Sequence, residues 1–176
     1  MTKVFIDGSQ GTTGLKIFDR LKKRDDIELI TVPDELRKDA VARKQAICDA
    51  DIAFLCLPDA AAIEAANLAS DCDTVIIDTS TAHRTSDGWT YGFPEIFENG
   101  FEKISSSKRI ASPGCYASGF IALVKPLVDN NIVSPDCNFY CHAMSGYSGA
   151  GKKGIALYEN DEIPLELCSP REYALT

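Results

Sequence analysis

Apolar and polar residues alternate along the first half of this chain in blocks. Short runs rich in Val, Ile and Phe at 4–6, 27–32, 52–57 and 74–78 read as strands, and the stretches between them, 15–23, 38–48 and 60–69, read as helices. The run Asp51-Ile52-Ala53-Phe54-Leu55-Cys56-Leu57 is apolar at consecutive rather than alternate positions, the mark of a strand covered on both faces. The pattern predicts βαβ units and hence an α/β fold: a Rossmann-type, doubly wound, mostly parallel sheet with helices on both faces.

After Asp78 the pattern changes. Residues 79–107 read as a loop-rich tract holding Trp89, Tyr91 and Pro94, and tracts of that length are usually either functional or badly read. Order resumes at Ile110, followed by a turn at Pro113-Gly114 and a helix beginning near Cys115, with Pro126 as its kink or stop. A further strand is predicted at 138–144, then a Gly/Ser loop at 145–151 and a polar tail at 158–176 without a convincing period. There is no internal repeat. We read residues 1–117 as a Rossmann domain and 118–176 as the beginning of an α+β substrate and oligomerisation domain.

Composition narrows the function classes. The chain has 176 residues, 45% hydrophobic and 25% charged, enough for a substantial core. Its net charge of -8 offers no electrostatic basis for holding a polyanion, so nucleic acid is not an expected partner. Its apolar runs fall far short of the roughly 20 residues that span a bilayer, and the N-terminal run is too short for a signal peptide. No membrane is expected, and the expected compartment is the cytoplasm. Seven cysteines, at 48, 56, 72, 115, 137, 141 and 168, form an odd set without a CxxC pair and read as reduced thiols. Cys137 and Cys141 would share one face of a strand while His142 faces the other, so no metal site is expected.

Three segments could carry chemistry. Gly8, Ser9, Gly11, Thr12, Thr13 and Gly14 belong to a GxxGxxG run placed directly after the first strand and directly before an amphipathic helix. Glycines there permit a tight turn and close approach to a pyrophosphate, whose charge sits against the helix N-terminus. An ordinary Gly-rich turn is the alternative, because the spacing departs from GxGxxG. Downstream, Asp34 and Glu35 stand where an acid binds a ribose hydroxyl, whereas Arg37 and Lys38 could accept a 2′-phosphate.

Cys115 opens a predicted helix in Ser112-Pro113-Gly114-Cys115-Tyr116, and a helix N-terminus favours thiolate over thiol. The other cysteines lack that context and read as small hydrophobes. The loop Ser145-Gly146-Tyr147-Ser148-Gly149-Ala150-Gly151-Lys152-Lys153 nearly matches a P-loop, but Lys153 replaces the hydroxyl that would bind Mg²⁺. It reads as a phosphate-binding loop or as a structural glycine loop. His83 and His142 are the only histidines. His83, just past a strand's carboxyl end, reads as a surface loop residue with a ligand-side role as the alternative, and His142 as a satisfied residue inside a strand.

GSQGTTG after the first strand, LCLPDAAA, IDTSTAHR, YGFPE, SPGCYASG and SGYSGAGKK, in that order, resemble the N-acetyl-gamma-glutamyl-phosphate reductases of the shorter form. The resemblance runs from residue 3 to at least residue 153. It implies NADPH-dependent reductive dephosphorylation of N-acetyl-glutamyl 5-phosphate, a step of arginine biosynthesis, by a homo-oligomer acting on a small acyl phosphate. By the same resemblance Cys115 would be the nucleophile, Gly8 to Gly14 would hold NADP, and Pro58 with Ser80 would line the nicotinamide side. Arg84, Ser145, Ser148 and Gly149 would contact substrate or phosphate. The family's general-base histidine, in an HxHxxE stretch beyond the SGAG loop, has no counterpart among these residues, so the sequence is expected to be an N-terminal portion. A noncatalytic nucleotide-binding module and an aspartate-semialdehyde dehydrogenase-like enzyme are the alternatives.

Overall fold

The computed structural model of the protein describes residues 1–143 together with Ile155, Ala156 and Glu159. Residues up to Cys141 form one unit, and the chain from His142 onward forms a second. The first unit contains β1 (Thr2–Asp7), α1 (Thr12–Leu21), β2 (Ile27–Ile30), α2 (Ala40–Cys48), β3 (Ile52–Leu55), α3 (Asp59–Leu68), β4 (Val75–Asp78), β5 (Thr90–Tyr91), α4 (Gly100–Ser105), β6 (Arg109–Ala111) and α5 (Cys115–Asp129). Short 3₁₀ turns lie at Asp34–Leu36 and Pro94–Ile96.

Six strands make one sheet in the order β2-β1-β3-β4-β6-β5, with every pair parallel. The chain winds outward from β1 to β2, then crosses to β3 on the other side of β1. That reversal opens a crevice outside the carboxyl ends of β1 and β3, where doubly wound sheets bind ligands.

Burial follows from the parallel arrangement. Positions 4–7 of β1 are all buried, as a central strand requires. In β3 and β4 full burial falls on alternate positions, Ala53 and Leu55, then Ile76 and Asp78, with the residues between them half-buried. Phe5, Ala46, Ile47, Ala50, Ala53, Leu55, Ala65, Ala69 and Ile76 form one apolar cluster, which joins α2 and the α3 region to the sheet. Alanines at 65 and 69 lie one helical turn apart and are wholly buried, so a short side chain sets how closely that segment lies on the strands.

Several expectations are corrected here. The tract 79–107 is not one long loop: it folds into β5, a 3₁₀ turn and α4. Pro126 does not stop α5 but sits inside its last turn, the helix continuing to Asp129. Residues 138–143 form no strand, because none of the described strands pairs with them to take up their N–H and C=O groups. The remainder of that predicted strand, from Met144, lies outside the described residues. Nor are all the cysteines unpaired. Cys48 at the end of α2 and Cys72 after α3 come together with a Cα–Cα distance of 5.1 Å and form a disulfide, a pairing that sequence separation alone does not reveal.

Two charged groups are buried beneath the sheet's carboxyl end. Arg43 of α2 donates from Nε to Asp7 at 3.0 Å and pairs with Glu64 of α3 at 3.3 Å. Its Nη2 lies 2.9 Å from the same Asp7 oxygen, off the line of a hydrogen bond. Burial raises the Asp7 carboxyl above its ordinary value of 3.8, an effect opposed chiefly by the hydrogen bond and charge of Arg43.

A Cβ at Gly8, whose φ is +85°, would strike the carbonyl of Cys56, whereas one at Gly88, with φ +79°, would meet nothing. Gly88→Ala should cost about 1 kcal/mol from the backbone alone. Gly8→Ala should cost at least about twice that, because the strands must also part. Denaturant unfolding of both variants checks the order.

Arg43→Ala should destabilise the chain by about 3 kcal/mol, since it leaves a buried carboxylate without its partner. With the folded-state pKa of Asp7 raised, folding favours the protonated form, so this contribution is present at low pH and lost as pH rises from 3.8 through the raised value. Unfolding free energies from pH 4 to 7 should therefore fall more steeply for the variant than for the parent.

Candidate active site

Four of the loops that leave the carboxyl ends of the six parallel strands carry most of the candidate residues. The first follows β1. Gly11 donates to the Gly8 carbonyl at 2.9 Å, and Gly11 is the N-cap of α1 with no side chain capping the helix. The first amides of α1 therefore keep their hydrogen-bonding capacity for a ligand. A Cβ at Gly14 would strike the Gly8 backbone, so the helix start lies directly on the loop. Gly8, Ser9, Gly11 and Thr12 are half-buried and Thr13 is exposed.

The second loop follows β3. Its Cys56 carbonyl abuts Gly8, and the exposed Pro58 is the N-cap of α3 with ψ 153°, bringing Pro58 to the rim of the same crevice. Cys56 itself is half-buried, and desolvation pushes its thiol up to about 11, a hydrogen bond from the Thr79 side opposing the shift.

At the outer end of the crevice, Gln10 of the glycine loop donates to Asp34 Oδ1 at 3.1 Å. Arg37 lies 3.5 Å from the same oxygen, and Arg37 and Lys38 are both exposed. Both the acid and the cations singled out in the sequence are thus at the surface beside the glycine loop. Asp34 is the one tied to it.

The third loop follows β4 and is built around a wholly buried carboxylate. Asp78 accepts from the Ser80 amide at 2.9 Å, from the Ser80 hydroxyl at 2.6 Å and from His83 Nδ1 at 2.6 Å. His83 is 7% exposed, and its ring stacks on Trp89 with centroids 3.9 Å apart. The surface reading of His83 is therefore corrected: a carboxylate in the sheet's interior needs donors, and the histidine turns inward to supply one. Ser80 is likewise buried, its hydroxyl committed to Asp78. The next residue, Thr81, donates to Asp59 at the start of α3, and that bond holds the Asp59 carboxyl below the usual range.

The fourth loop follows β6. Ser112 donates to the Asp78 carbonyl at 2.7 Å, and Gly92 of the YGFPE segment donates to Ala111 at 2.8 Å. Arg84 reaches across from the third loop: its Nε donates to the Ser112 carbonyl at 3.1 Å, and a Cβ on Gly114 would strike its guanidinium. Gly114 is the N-cap of α5, and Cys115, exposed, is the first residue of that helix. The structure thus brings a free thiol and a guanidinium to one loop.

Ser145, Ser148 and Gly149 lie outside the described residues. His142 is exposed and belongs to no strand, unlike the satisfied strand residue expected. Among the described residues no cluster of three or more His, Cys, Asp or Glu is placed to hold a metal, and no helix is long and apolar enough to cross a membrane. Sequence reasoning passed over the Asp7–Arg43 pair and the inward turn of His83. The signal for both was an aspartate closing a buried apolar strand, which demands a partner.

A glycine-lined helix N-terminus at the switch point of a parallel sheet is the architecture of a nicotinamide-dinucleotide domain. The chain belongs to the semialdehyde dehydrogenase family: the model of that family's NAD-binding domain matches residues 3–104, and the model of its dimerisation domain matches residues 115–168. Among curated relatives it is similar to N-acetyl-gamma-glutamyl-phosphate reductases. It is 49% identical to one from Pseudomonas putida over 89% of this chain and 50% of that protein. It is 47% identical to one from Nostoc over 90% and 49%, and 44% identical to one from Burkholderia orbicola over 98% and 55%. The chain spans about half the length of these relatives. Its fold is shared with aspartate semialdehyde dehydrogenase II of Vibrio cholerae, at TM-score 0.62 and 19% identity over 98% of this chain and 55% of that one. It is shared equally with the Francisella tularensis enzyme, at TM-score 0.62 and 17% identity over 99% and 53%.

Brief treatment with iodoacetamide near pH 7 should modify Cys115 well before Cys56, whose thiol at about 11 stays protonated and half-buried. Cys48 and Cys72 should label only after reduction. Peptide mapping checks this; first labelling of Cys56 would contradict the placement.

Proposed function

We propose that the protein is the NADP-dependent reductase of N-acetyl-L-glutamyl 5-phosphate, forming N-acetyl-L-glutamate 5-semialdehyde in a cytoplasmic step of arginine biosynthesis. The observation that carries the reading is the placement of exposed Cys115 at the head of α5, with Arg84 on the loop before it and the glycine crevice on the same end of the sheet.

Cys115 attacks the acyl carbon of the mixed anhydride, the carbon–oxygen bond to phosphate breaks, and a thioester forms on Sγ. Arg84 offers a planar, permanently charged donor to the phosphate and stabilises it as it leaves. The crevice fits a dinucleotide: Gly8 and Gly14 leave no room for a Cβ, which keeps backbone amides at the surface for a pyrophosphate. A nicotinamide held there would supply the hydride that reduces the thioester, and breaking the carbon–sulfur bond would return the Cys115 thiolate. Gly8, Ser9, Gly11, Thr12, Thr13 and Gly14 would hold the pyrophosphate, Pro58 and Ser80 the nicotinamide side, and Arg37 with Lys38 a 2′-phosphate. Ser145, Ser148 and Gly149 are assigned to substrate. We draw the boundary between the cofactor domain and the substrate domain at residues 117 and 118, and read the active assembly as a homo-oligomer.

Incubation with N-acetyl-glutamyl phosphate should acylate the Cys115 peptide and release one equivalent of phosphate, both lost in Cys115→Ser. Mass spectrometry reads the adduct, and an acyl phosphate that leaves the cysteine unmodified overturns the assignment. In calorimetric titration NADP(H) should bind about tenfold tighter than NAD(H), the scale of one charge-assisted contact of about 1.5 to 3 kcal/mol. Arg37→Ala should erase most of that margin. Equal affinities in the parent would instead leave Asp34, already held by Gln10, as the ribose-reading residue.

A further inference from the structure

We propose that His83 is a positioning residue that, with Asp78 and Trp89, holds the Arg84 guanidinium over the cysteine loop and thereby sets how that loop receives an anion. The functional meaning of that anion, the phosphate of an acyl phosphate, rests on the reading above. The geometry of the device does not.

Asp78 is wholly buried, and its two oxygens take three hydrogen bonds from a stretch of only four residues. A buried carboxylate accepts and does not donate, so Nδ1 of His83 carries the proton of that bond. The ring has almost no freedom left. One edge is bonded to Asp78 at 2.6 Å, and one face lies on Trp89 at 3.9 Å with an interplanar angle of 13°. Trp89 in turn packs against the apolar cluster under the sheet, so the histidine is referenced to the core. The other bonds of the turn close the same way. Ala82 donates to the Ser80 hydroxyl at 3.2 Å, Ser86 donates to the His83 carbonyl at 3.3 Å, and Thr81 is tied to Asp59 on α3.

Arg84 leaves this turn directly after His83. It is half-buried, bonded to the Ser112 carbonyl and in contact with Gly114, one residue before Cys115. An arginine side chain has many rotamers, and holding one of them costs conformational entropy that the fixed turn reduces. Asp78 also anchors the target, because its own carbonyl accepts from Ser112. One residue therefore references both the guanidinium and the loop it covers, with His83 as the link between its carboxylate and Arg84.

The test compares alkylation of Cys115 by anionic iodoacetate and by neutral iodoacetamide, a ratio that reads the local positive charge and needs no enzymatic turnover. In the parent, Arg84 should favour the anion, and Arg84→Ala should lower the ratio about three- to tenfold, the range for one charge screened by water at contact distances. His83→Phe, which retains an aromatic face for Trp89 but no donor, should lower it to nearly the same extent. Arg84→Ala added to His83→Phe should have little further effect. His83→Asn, which restores a donor to Asp78, should recover much of the parent ratio and also covers the case in which the phenylalanine variant does not fold. In steady-state assays the same variants should raise the KM for the phosphate-bearing substrate more than they lower kcat. A parental ratio in folded His83→Phe, or in folded His83→Asn with the donor shown by NMR to be lost, overturns the proposal. A parent whose Cys115 is not acylated by N-acetyl-glutamyl phosphate overturns the functional reading instead, and the alkylation ratio still decides the role of His83.

Discussion

The carboxylate of Asp78 cannot be left bare. It closes β4 in the interior of a parallel sheet with no exposure to water, where an unpaired charge would cost several kcal/mol, a large fraction of a domain's marginal stability. Donors have to come from the residues that follow, and Ser80 and His83 supply them. Once those bonds are made, the path of the chain from Ser80 to Arg84 is set, Trp89 is drawn onto the histidine ring, and Arg84 is aimed at the loop after β6. The backbone of Asp78 holds that loop as well. The arrangement around Cys115 is in this sense a consequence of satisfying one buried group.

A second buried aspartate plays the matching part at the other end of the crevice. Asp7 closes β1 immediately before the glycine loop, and Arg43 with Glu64 beyond it balances the charge from the helical layer. The two pairs differ in partner. Arg43 reaches in from α2, far along the chain, whereas His83 comes from the same loop. The first fastens a helix to the sheet beneath the dinucleotide crevice, and the second shapes a loop above it. Both sit where strands end, because the carboxyl edge of a parallel sheet is where the backbone stops pairing and side chains must finish the hydrogen bonding.

The close approach of Gly8 to Cys56 fits the same account. The glycine loop lies on the end of β3 with no space for a side chain, so the crevice at the switch point is lined by backbone. A surface of amides at a helix N-terminus suits a pyrophosphate, and the model of a family's NAD-binding domain matches this stretch.

The order of blocks, consecutive apolar positions in β3 and glycines between β1 and α1 were enough to specify a parallel α/β sheet, because those patterns reflect local periodicity and burial on two faces. Cys115 at a helix start was legible for the same reason, since Pro113 and Gly114 mark the turn and the apolar residues after them mark the helix. What the sequence could not show were the partnerships between distant residues. The disulfide of Cys48 with Cys72, Arg43 beneath Asp7 and Arg84 upon Gly114 join positions 24, 36 and 30 apart. Periodicity says nothing about which chain segments meet. His83 was read as exposed because a polar residue in a polar loop carries no local sign of burial, and it was the need of Asp78, five residues earlier, that turned it inward. Local pattern determined the elements and placed Cys115 at the start of a helix; the demand to pair buried charge, which exists only once the sheet has formed, decided how they face one another.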